Sequence, residues 1–325
     1  MKIAGQRWRK IQEQSFYRAT ARERAAGLAD DGTFRELLGP LDKICSPHLP
    51  LLGEVAQFDD GMVTGIGLLG TRPVFIISME GAFFGGGIGE VNGAKMTAAI
   101  RLACYACDAI REKYDGQVPE GKRPVLVISF DTGGVRLHEA NAGLLAHADI
   151  IDAIQDARGK VPMLSLCGSR LGAFGGMGFV IMATDVVIMN EQGRIGLTGP
   201  EVIEEEVGRD EFDASDRALV WRTTGAKHRY IMGDCDYLVA DRVSAFRKKV
   251  LAVAAFPLAR ILRMRKTGSF QLVKREQELV ALGVKEKIKD STDFWRYFGN
   301  DHAENIPEME LGHFLQTVKR RQEAE

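Results

Sequence analysis

Apolar runs alternate with glycine-rich turns and amphipathic segments through the middle of the chain. Two apolar runs within residues 62–78 predict an antiparallel pair of strands. Further short apolar runs at 125–130, 161–166 and 186–189 predict buried strands, and each leads into a segment that contains glycine. Because strand, glycine turn and helix recur in this order, the pattern predicts an α/β fold built in layers.

Helices are indicated by apolar residues at steps of three and four. One such face carries Met96, Ile100, Ala103, Cys107 and Ile110, and another carries Leu137, Ala140, Leu144, Ala148 and Ile151. A short apolar helix is predicted near 176–183. At the start of the chain, Thr20 and Glu23 match a capping box, and residues 16–39 are predicted to form helices around a turn.

The chain is expected to form a single domain, because no linker or low-complexity tract interrupts it. N-terminal helices are expected over 1–45, a core over 46–250 and charged C-terminal helices over 251–325. A hydrophobic content of 45% with 27% charged residues is ordinary for a protein with a sizeable core.

Charge and cysteine content narrow the class of protein. The net charge of −1 gives no global field for nucleic acid or an anionic membrane surface. No apolar run reaches the roughly 18 residues of a membrane span, and the first residues lack the apolar segment of a signal peptide. The five cysteines are scattered and odd in number, as in a reducing compartment. A cytoplasmic protein of enzyme size is therefore expected.

The candidate chemistry lies in paired glycines between strands and helices. Gly133-Gly134 follows the strand at 125–130, and Gly175-Gly176 repeats the arrangement one unit later. Such a turn leaves backbone N–H groups without an acceptor, and glycine lets a ligand approach the backbone closely. With the positive end of the following helix, this makes an anion site, for a phosphate or for an oxyanion that forms only during reaction. The alternative is that the glycines merely allow tight turns, which two similar pairs make less probable.

The phosphate interpretation has little support in the motifs. "GGVR" at 133–136 lacks the Lys-Ser/Thr pair of a P-loop. "GGGIGE" at 85–90 does not match the glycine order of a dinucleotide-binding turn. The turns therefore favour an oxyanion.

Several side chains near these turns have two possible roles. Cys104 and Cys107 are expected to pack inside a helix, because no further ligands of suitable spacing complete a metal site. Cys167 is expected to be a buried thiol or to line a pocket. His138 and Glu139 are expected either on an exposed helix face or within reach of a substrate. The residue types and their spacing alone do not decide between these roles.

The order of motifs resembles a known family. "TGGVR" followed by "FGGMGFVIMATDVVIMNEQGRIGLTGPEVIEEEV" is similar to the carboxyltransferase beta-type subunits of the crotonase-like superfamily. "GRIGLTGPEVIE" at 193–204 is the most specific piece, and the resemblance covers about residues 50–245. The opening "SFYRATARERAAGLADDGTFRELLGP" resembles the beta subunits of malonate decarboxylases. The zinc ribbon of acetyl-CoA carboxylase beta subunits is not possible, since Cys45 is the only cysteine in the first hundred residues.

This resemblance implies a crotonase-like fold of repeated ββα units with peripheral helices. It implies a gamma-type partner subunit, an acyl-carrier protein with a CoA-derived thiol arm, a transferase subunit that loads the carrier, and no metal. It assigns catalytic roles to Gly133, Gly134, Val135, Gly175 and Gly176. It assigns substrate binding to Gly85, Gly86, Gly87 and Arg136, with Arg136 anchoring either substrate or structure.

The implied reaction is the loss of CO2 from a malonyl thioester. Backbone amides would stabilise the thioester enolate, and no nucleophile is required. Transfer of the carboxyl group to biotin is the alternative, because the same amides serve both reactions. A non-catalytic scaffold is disfavoured by the intact glycine pairs, and an enoyl-CoA hydratase by the lack of paired glutamates at the turns.

Overall fold

The structure is a computed structural model that describes residues 3–51, 53, 61–139, 141–265 and 270–321. Its strands are β1 (Arg35–Leu38), β2 (Met62–Leu69), β3 (Arg72–Met79), β4 (Gly87–Ile88), β5 (Val125–Phe130), β6 (Gly134–Val135), β7 (Met163–Cys167), β8 (Val186–Met189) and β9 (Tyr237–Leu238). Its α-helices are α1 (Gln6–Glu13), α2 (Ala21–Leu28), α3 (His48–Leu51), α4 (Glu90–Lys113), α5 (Ala142–Ala157), α6 (Gly176–Met182), α7 (Pro200–Val207), α8 (Arg217–Thr224), α9 (Ala226–Met232), α10 (Val243–Ala254), α11 (Leu258–Arg263), α12 (Phe270–Lys285), α13 (Ser291–Tyr297) and α14 (Leu311–Thr317). Short 3₁₀ helices lie at Pro40–Asp42, Phe84–Gly86, Glu120–Lys122, Leu137–Glu139 and Ala303–Glu308.

Seven of the strands form one sheet in the order β1-β2-β3-β5-β7-β8-β9. The neighbours β1, β2 and β3 are antiparallel, and every later pair is parallel. The short strands β4 and β6 form a separate parallel pair. The antiparallel pair and the three buried strands predicted from the apolar runs are confirmed. Among the described helices, none is long and apolar enough to cross a membrane.

The large sheet is covered on both faces. On one face α4 and α5 pack against β3 and β5, and the predicted face of α4 is confirmed, with Met96, Ile100, Ala103 and Cys107 buried there. On the other face α2 and α10 complete a second apolar cluster, in which the rings of Phe16 and Phe246 stack. All six residues of β5 are buried, as expected for a parallel strand enclosed by two helical layers.

Residues 16–39 are only partly helical. The capping box at α2 is confirmed, since the Thr20 side chain accepts from the Glu23 N–H and Glu23 bonds back to the Thr20 N–H. The helix predicted further on is wrong, because β1 lies there and pairs with β2. The edge of β2 offers unpaired backbone groups, and pairing with it outweighs the helix preference of "RELL", whose residues are all good helix formers.

The predicted buried face of α5 is also wrong. Leu137, Leu144 and Ala148 are exposed, and only Ile151 of the predicted face packs, half-buried, against the core. The buried residues of α5 are Gly143, Ala146, His147, Ile150, Ala153, Ile154 and Ala157. Ala140 lies outside the described residues. Small residues on the inward face let this helix approach β6 closely, so the leucines are turned outward.

One buried carboxylate ties together the turns that follow β3, β5 and β7. Asp131, directly after β5, accepts hydrogen bonds from the N–H groups of Gly81 (3.2 Å) and Leu171 (3.0 Å). Its charge is paired with Arg24 of α2 at 3.1 Å, and the two side chains are only 1% and 2% exposed. Arg24 also donates to the Met79 carbonyl at the end of β3. The three turns are therefore fixed relative to one another by one ion pair.

Replacing Arg24 with methionine should strongly destabilise the fold. The Asp131 carboxylate would remain buried without its cation, which costs about 3–5 kcal/mol. The matched control is Arg101→Met, because Arg101 pairs with Asp152 on the surface at 3.3 Å and such pairs contribute less than about 1 kcal/mol. Urea unfolding would measure both variants. Equal losses in the two variants would contradict a dominant role for the buried pair.

Candidate active site

The first glycine pair uses its amides within the turn. The Gly133 N–H donates to the Gly85 carbonyl at 3.1 Å, and the Gly134 N–H donates to Thr132 Oγ1 at 3.0 Å. The expectation that the turn leaves these two groups free is therefore wrong. A threonine hydroxyl and a neighbouring turn supply the acceptors that the sequence pattern did not reveal. Gly133 and Gly134 shape the turn, and a candidate donor lies next to them along the chain.

Val135 supplies such a donor. The N–H of Arg136 donates to the Ile88 carbonyl at 2.9 Å, so β6 bonds to β4 through that residue. Because successive N–H groups of a strand point to opposite sides, the Val135 N–H points away from β4. Its nitrogen lies close to the second glycine pair, since a Cβ atom on Gly175 would lie 3.9 Å from it.

The two glycine pairs meet backbone to backbone. A Cβ atom on Gly134 would lie 3.3 Å from the Gly175 Cα atom, and one on Gly175 would lie 3.2 Å from the Gly134 Cα atom. Their φ angles of +116° and +60° also favour glycine. Gly176 begins α6, where the first N–H groups have no intrahelical acceptor. The contact therefore places Val135 and Gly176, each adjacent to one of the touching glycines, in neighbouring parts of the fold.

The first glycine cluster supports this arrangement. Gly87 pairs with Gly134 across β4 and β6, and Gly86 and Gly87 are both buried. Gly85 is exposed and gives its carbonyl to Gly133. The cluster thus holds the turn in place, and of its three members only Gly85 offers an exposed surface to a substrate.

Arg136 is anchored within the protein. Its Nη1 donates to Glu139 Oε1 and its Nη2 to the Gly87 carbonyl, both at 3.0 Å. The guanidinium also lies 5.4 Å from the ring centroids of Phe83 and Phe84. Of the two roles expected for Arg136, these contacts support the anchoring of structure.

The neighbouring polar residues divide between surface and interior. His138 is exposed, as on the expected helix face. Glu139 is buried, so its placement on an exposed face is wrong, and its Oε2 accepts from the Glu90 N–H at 2.6 Å. A carboxylate there also faces the positive end of α4. Sequence reasoning missed this pairing because Arg136 and Glu139 are three residues apart in a turn, where no periodic pattern marks them.

Sequence reasoning also missed His147. It lies on the buried face of α5, and a Cβ atom on Gly176 would lie 2.4 Å from its Cδ2 atom. The sequence prediction assigned the buried face of α5 to the leucines, whereas His147 lies on that face in the structure. The only available signal was the run of small residues around it, "NAGLLAHA", which permits close packing.

The thiols near the site are packed in the core. Burial raises the pKa of the Cys167 thiol to about 12, and its Sγ donates to the Arg194 carbonyl. Burial also raises the pKa of the Cys104 and Cys107 thiols in α4, where the expected packing role is confirmed. Within the described ranges, no three His, Cys, Asp or Glu side chains are grouped to hold a metal ion.

Iodoacetamide should modify Cys45 in the native protein and leave the other four cysteines intact. Cys45 is half-buried, whereas Cys104, Cys107, Cys167 and Cys235 are buried, and only an accessible thiolate reacts. Peptide mass mapping before and after unfolding would measure this, with Cys45→Ser as the control that loses the native label. Rapid native labelling of Cys167 would contradict the packed assignment.

The site is open on one side. Gly85 and Gly133 are exposed, and several apolar side chains of the segments that follow the turns are exposed as well. The exposed apolar residues of this rim are Leu137, Leu144, Leu145, Phe179 and Leu197.

Comparisons with known proteins give consistent matches. Residues 13–281 match the family model described as carboxyl transferase domain. The chain is 57% identical over 315 residues to malonyl-S-ACP:biotin-protein carboxyltransferase MADC of Malonomonas rubra, covering 97% of this chain and 98% of that protein. It is 40% identical to a chain in the crystal structure of a Pseudomonas malonate decarboxylase hetero-tetramer with malonate, with a TM-score of 0.68, covering 76% of this chain and 86% of the other. Transcarboxylase 12S, at 23% identity and a TM-score of 0.58 over 73% of this chain and 41% of the other, shares the fold.

Proposed function

Because the chain belongs to the carboxyl transferase domain family, we propose that it is the beta-type subunit that removes the carboxyl group of a malonyl thioester held on an acyl-carrier protein. The family and the crotonase-like fold expected from the motifs are both confirmed. The observation that carries the proposal is the contact between Gly134 and Gly175. In the proposal, the neighbouring amides of Val135 and Gly176 donate to one oxygen.

The reaction needs a place for negative charge. When the carboxylate leaves as CO2, its bonding electrons stay on the adjacent carbon and delocalise onto the thioester oxygen as an enolate. The Val135 and Gly176 N–H groups donate to that oxygen, and one such donor contributes about 2.7–4 kcal/mol to the transition state. The carbon then takes up a proton, which gives the acetyl thioester.

The carboxyl group can be released as CO2 or transferred to biotin, and both reactions proceed through the same enolate. Similarity to the Pseudomonas malonate decarboxylase favours direct release of CO2. Transfer to biotin is the second candidate, and the 57% identity to a malonyl-S-ACP:biotin-protein carboxyltransferase favours it. The backbone donors serve either route, so the amides do not distinguish the two.

The exposed apolar residues of the rim indicate that partner subunits bind there. The Pseudomonas enzyme is a hetero-tetramer, and a related structure is a hetero-dimer. A homologous gamma-type subunit over the exposed Leu137, Leu144 and Phe179 would exclude water from the turns. The carrier protein would deliver the malonyl group on a CoA-derived thiol arm, and a transferase subunit would load it.

The proposed function is tested by CO2 release from carboxyl-labelled malonyl thioester. The assembled beta–gamma pair should release label, and this chain alone should be weakly active or inactive because its turns are uncovered. Release that needs a biotin carrier and stops with avidin would assign transfer, whereas release without biotin would assign direct decarboxylation. A pair that leaves the malonyl group intact under both conditions would overturn the proposal.

Replacing Gly134 with valine should lower kcat by about 10²–10³, the effect of losing one oxyanion donor. The new side chain would press on Gly175 and strain a residue with φ of +116°, so the Val135 amide would turn away from the enolate oxygen. Steady-state decarboxylation by the assembled pair would measure this.

The matched control is Gly159→Val. Gly159 also has a positive φ of +75°, yet a Cβ atom there meets nothing within 4 Å. It should keep kcat close to that of the parent despite a similar backbone strain. If Gly134→Val kept kcat within about threefold, well short of the effect of one lost donor, while the pair still formed, the glycines would be packing devices only.

A further inference from the structure

A buried imidazole lies against the second glycine turn. His147 of α5 is only 5% exposed, and a Cβ atom on Gly176 would lie 2.4 Å from its Cδ2 atom and 2.9 Å from its Nε2 atom. The ring therefore fills the space directly beside the Gly176 backbone. No step of the proposed reaction uses this ring.

The hydrogen bonding of the ring fixes its tautomer. Nδ1 lies 2.7 Å from the Gly143 carbonyl oxygen, and a carbonyl only accepts, so the proton is on Nδ1. Burial lowers the pKa of His147, so the ring is neutral and Nε2 carries a lone pair. No donor in the described part of the chain reaches Nε2. A buried polar atom without a partner costs stability, and an apolar side chain would avoid that cost.

The bond to Gly143 links the ring to the other candidate donor. A Cβ atom on Gly143 would lie 2.9 Å from Val135 Cγ1 and 3.0 Å from the Arg136 carbonyl oxygen. Gly143 and His147 are four residues apart, so they lie one turn apart on the same face of α5. One turn of helix therefore touches Val135 at one end and Gly176 at the other.

We propose that His147 is a positioning residue, which sets the separation between the Val135 and Gly176 amides. Its ring holds Gly176 from one side, and its Nδ1–H bond to Gly143 locks the ring to the part of α5 that packs on Val135. Two donors to one oxyanion must each come within about 2.7–3.1 Å of it, so their separation decides the rate. This inference rests on the proposed function.

Two substitutions separate the two contacts of the ring. His147→Phe keeps an aromatic ring against Gly176 and loses the bond to Gly143, whereas His147→Asn keeps a short donor and loses the ring. In the assembled pair, each should lower kcat for malonyl thioester decarboxylation by about 10–100-fold, since small misplacements of catalytic groups have effects of that order. KM should stay within about threefold, because a positioning role acts on the transition state and spares substrate binding.

The matched control is His228→Phe. His228 is also a buried histidine, and its Nδ1 accepts from Trp295 Nε1 at 3.2 Å in contact with α13. This variant should lose stability and keep kcat within twofold of the parent. Thermal melting and size-exclusion chromatography with the partner would show which variants fold and pair.

Each outcome decides between the claims. A wild-type pair that leaves malonyl thioester intact would overturn the proposed function and this inference with it. An active wild-type pair whose two His147 variants keep kcat within twofold would overturn this inference alone. Failure of both His147 variants to fold or pair would also contradict it, because a positioning role predicts a folded, paired and slow enzyme.

Discussion

The backbone contact between Gly134 and Gly175 is the constraint on which the site depends. Two chain segments that follow different strands of the sheet approach so closely that a Cβ atom on either glycine would lie only 3.2–3.3 Å from the Cα atom of the other. This closeness brings the Val135 amide beside the first turn of α6. In the proposed reaction, a larger side chain at either glycine would press the two segments apart and move the two donors away from a shared oxygen. The chemistry is therefore limited by how tightly two turns are held together.

Two buried ion pairs fix the positions of these turns. Asp131 and Arg24 join the turns after β3, β5 and β7, and Arg136 and Glu139 join β6 to the start of α4. Buried charges are tolerated only when they are paired and hydrogen-bonded, and the carboxylates of both pairs also accept backbone N–H groups. The charged side chains of the site thus act as a scaffold. In the proposed reaction, the groups that face the reacting oxygen are neutral amides.

Much of the fold could be predicted because its signals are local. The strand at Val125–Phe130 and the cap at Thr20 follow from a continuous apolar run and a fixed spacing. The two wrong predictions about the fold, a helix at Arg35–Leu38 and the buried face of α5, both concern tertiary contacts. β1 forms because β2 has a free edge. α5 turns its leucines outward because Gly143 and His147 fit against the turns. The glycine pairs could be located from sequence. Their hydrogen bonds could not, because Thr132 Oγ1 and the Gly85 carbonyl are acceptors that only the folded turns bring into reach.

The most direct test is a crystal structure of this chain assembled with its gamma-type partner and a malonyl thioester analogue that cannot lose CO2. The account predicts that the thioester oxygen lies about 2.7–3.1 Å from the backbone nitrogens of both Val135 and Gly176. It also predicts that the partner covers the exposed leucines beside the turns. A thioester oxygen bound by a side chain or by solvent, with both amides more than about 4 Å away, would contradict the account, because hydrogen bonds do not extend to that distance.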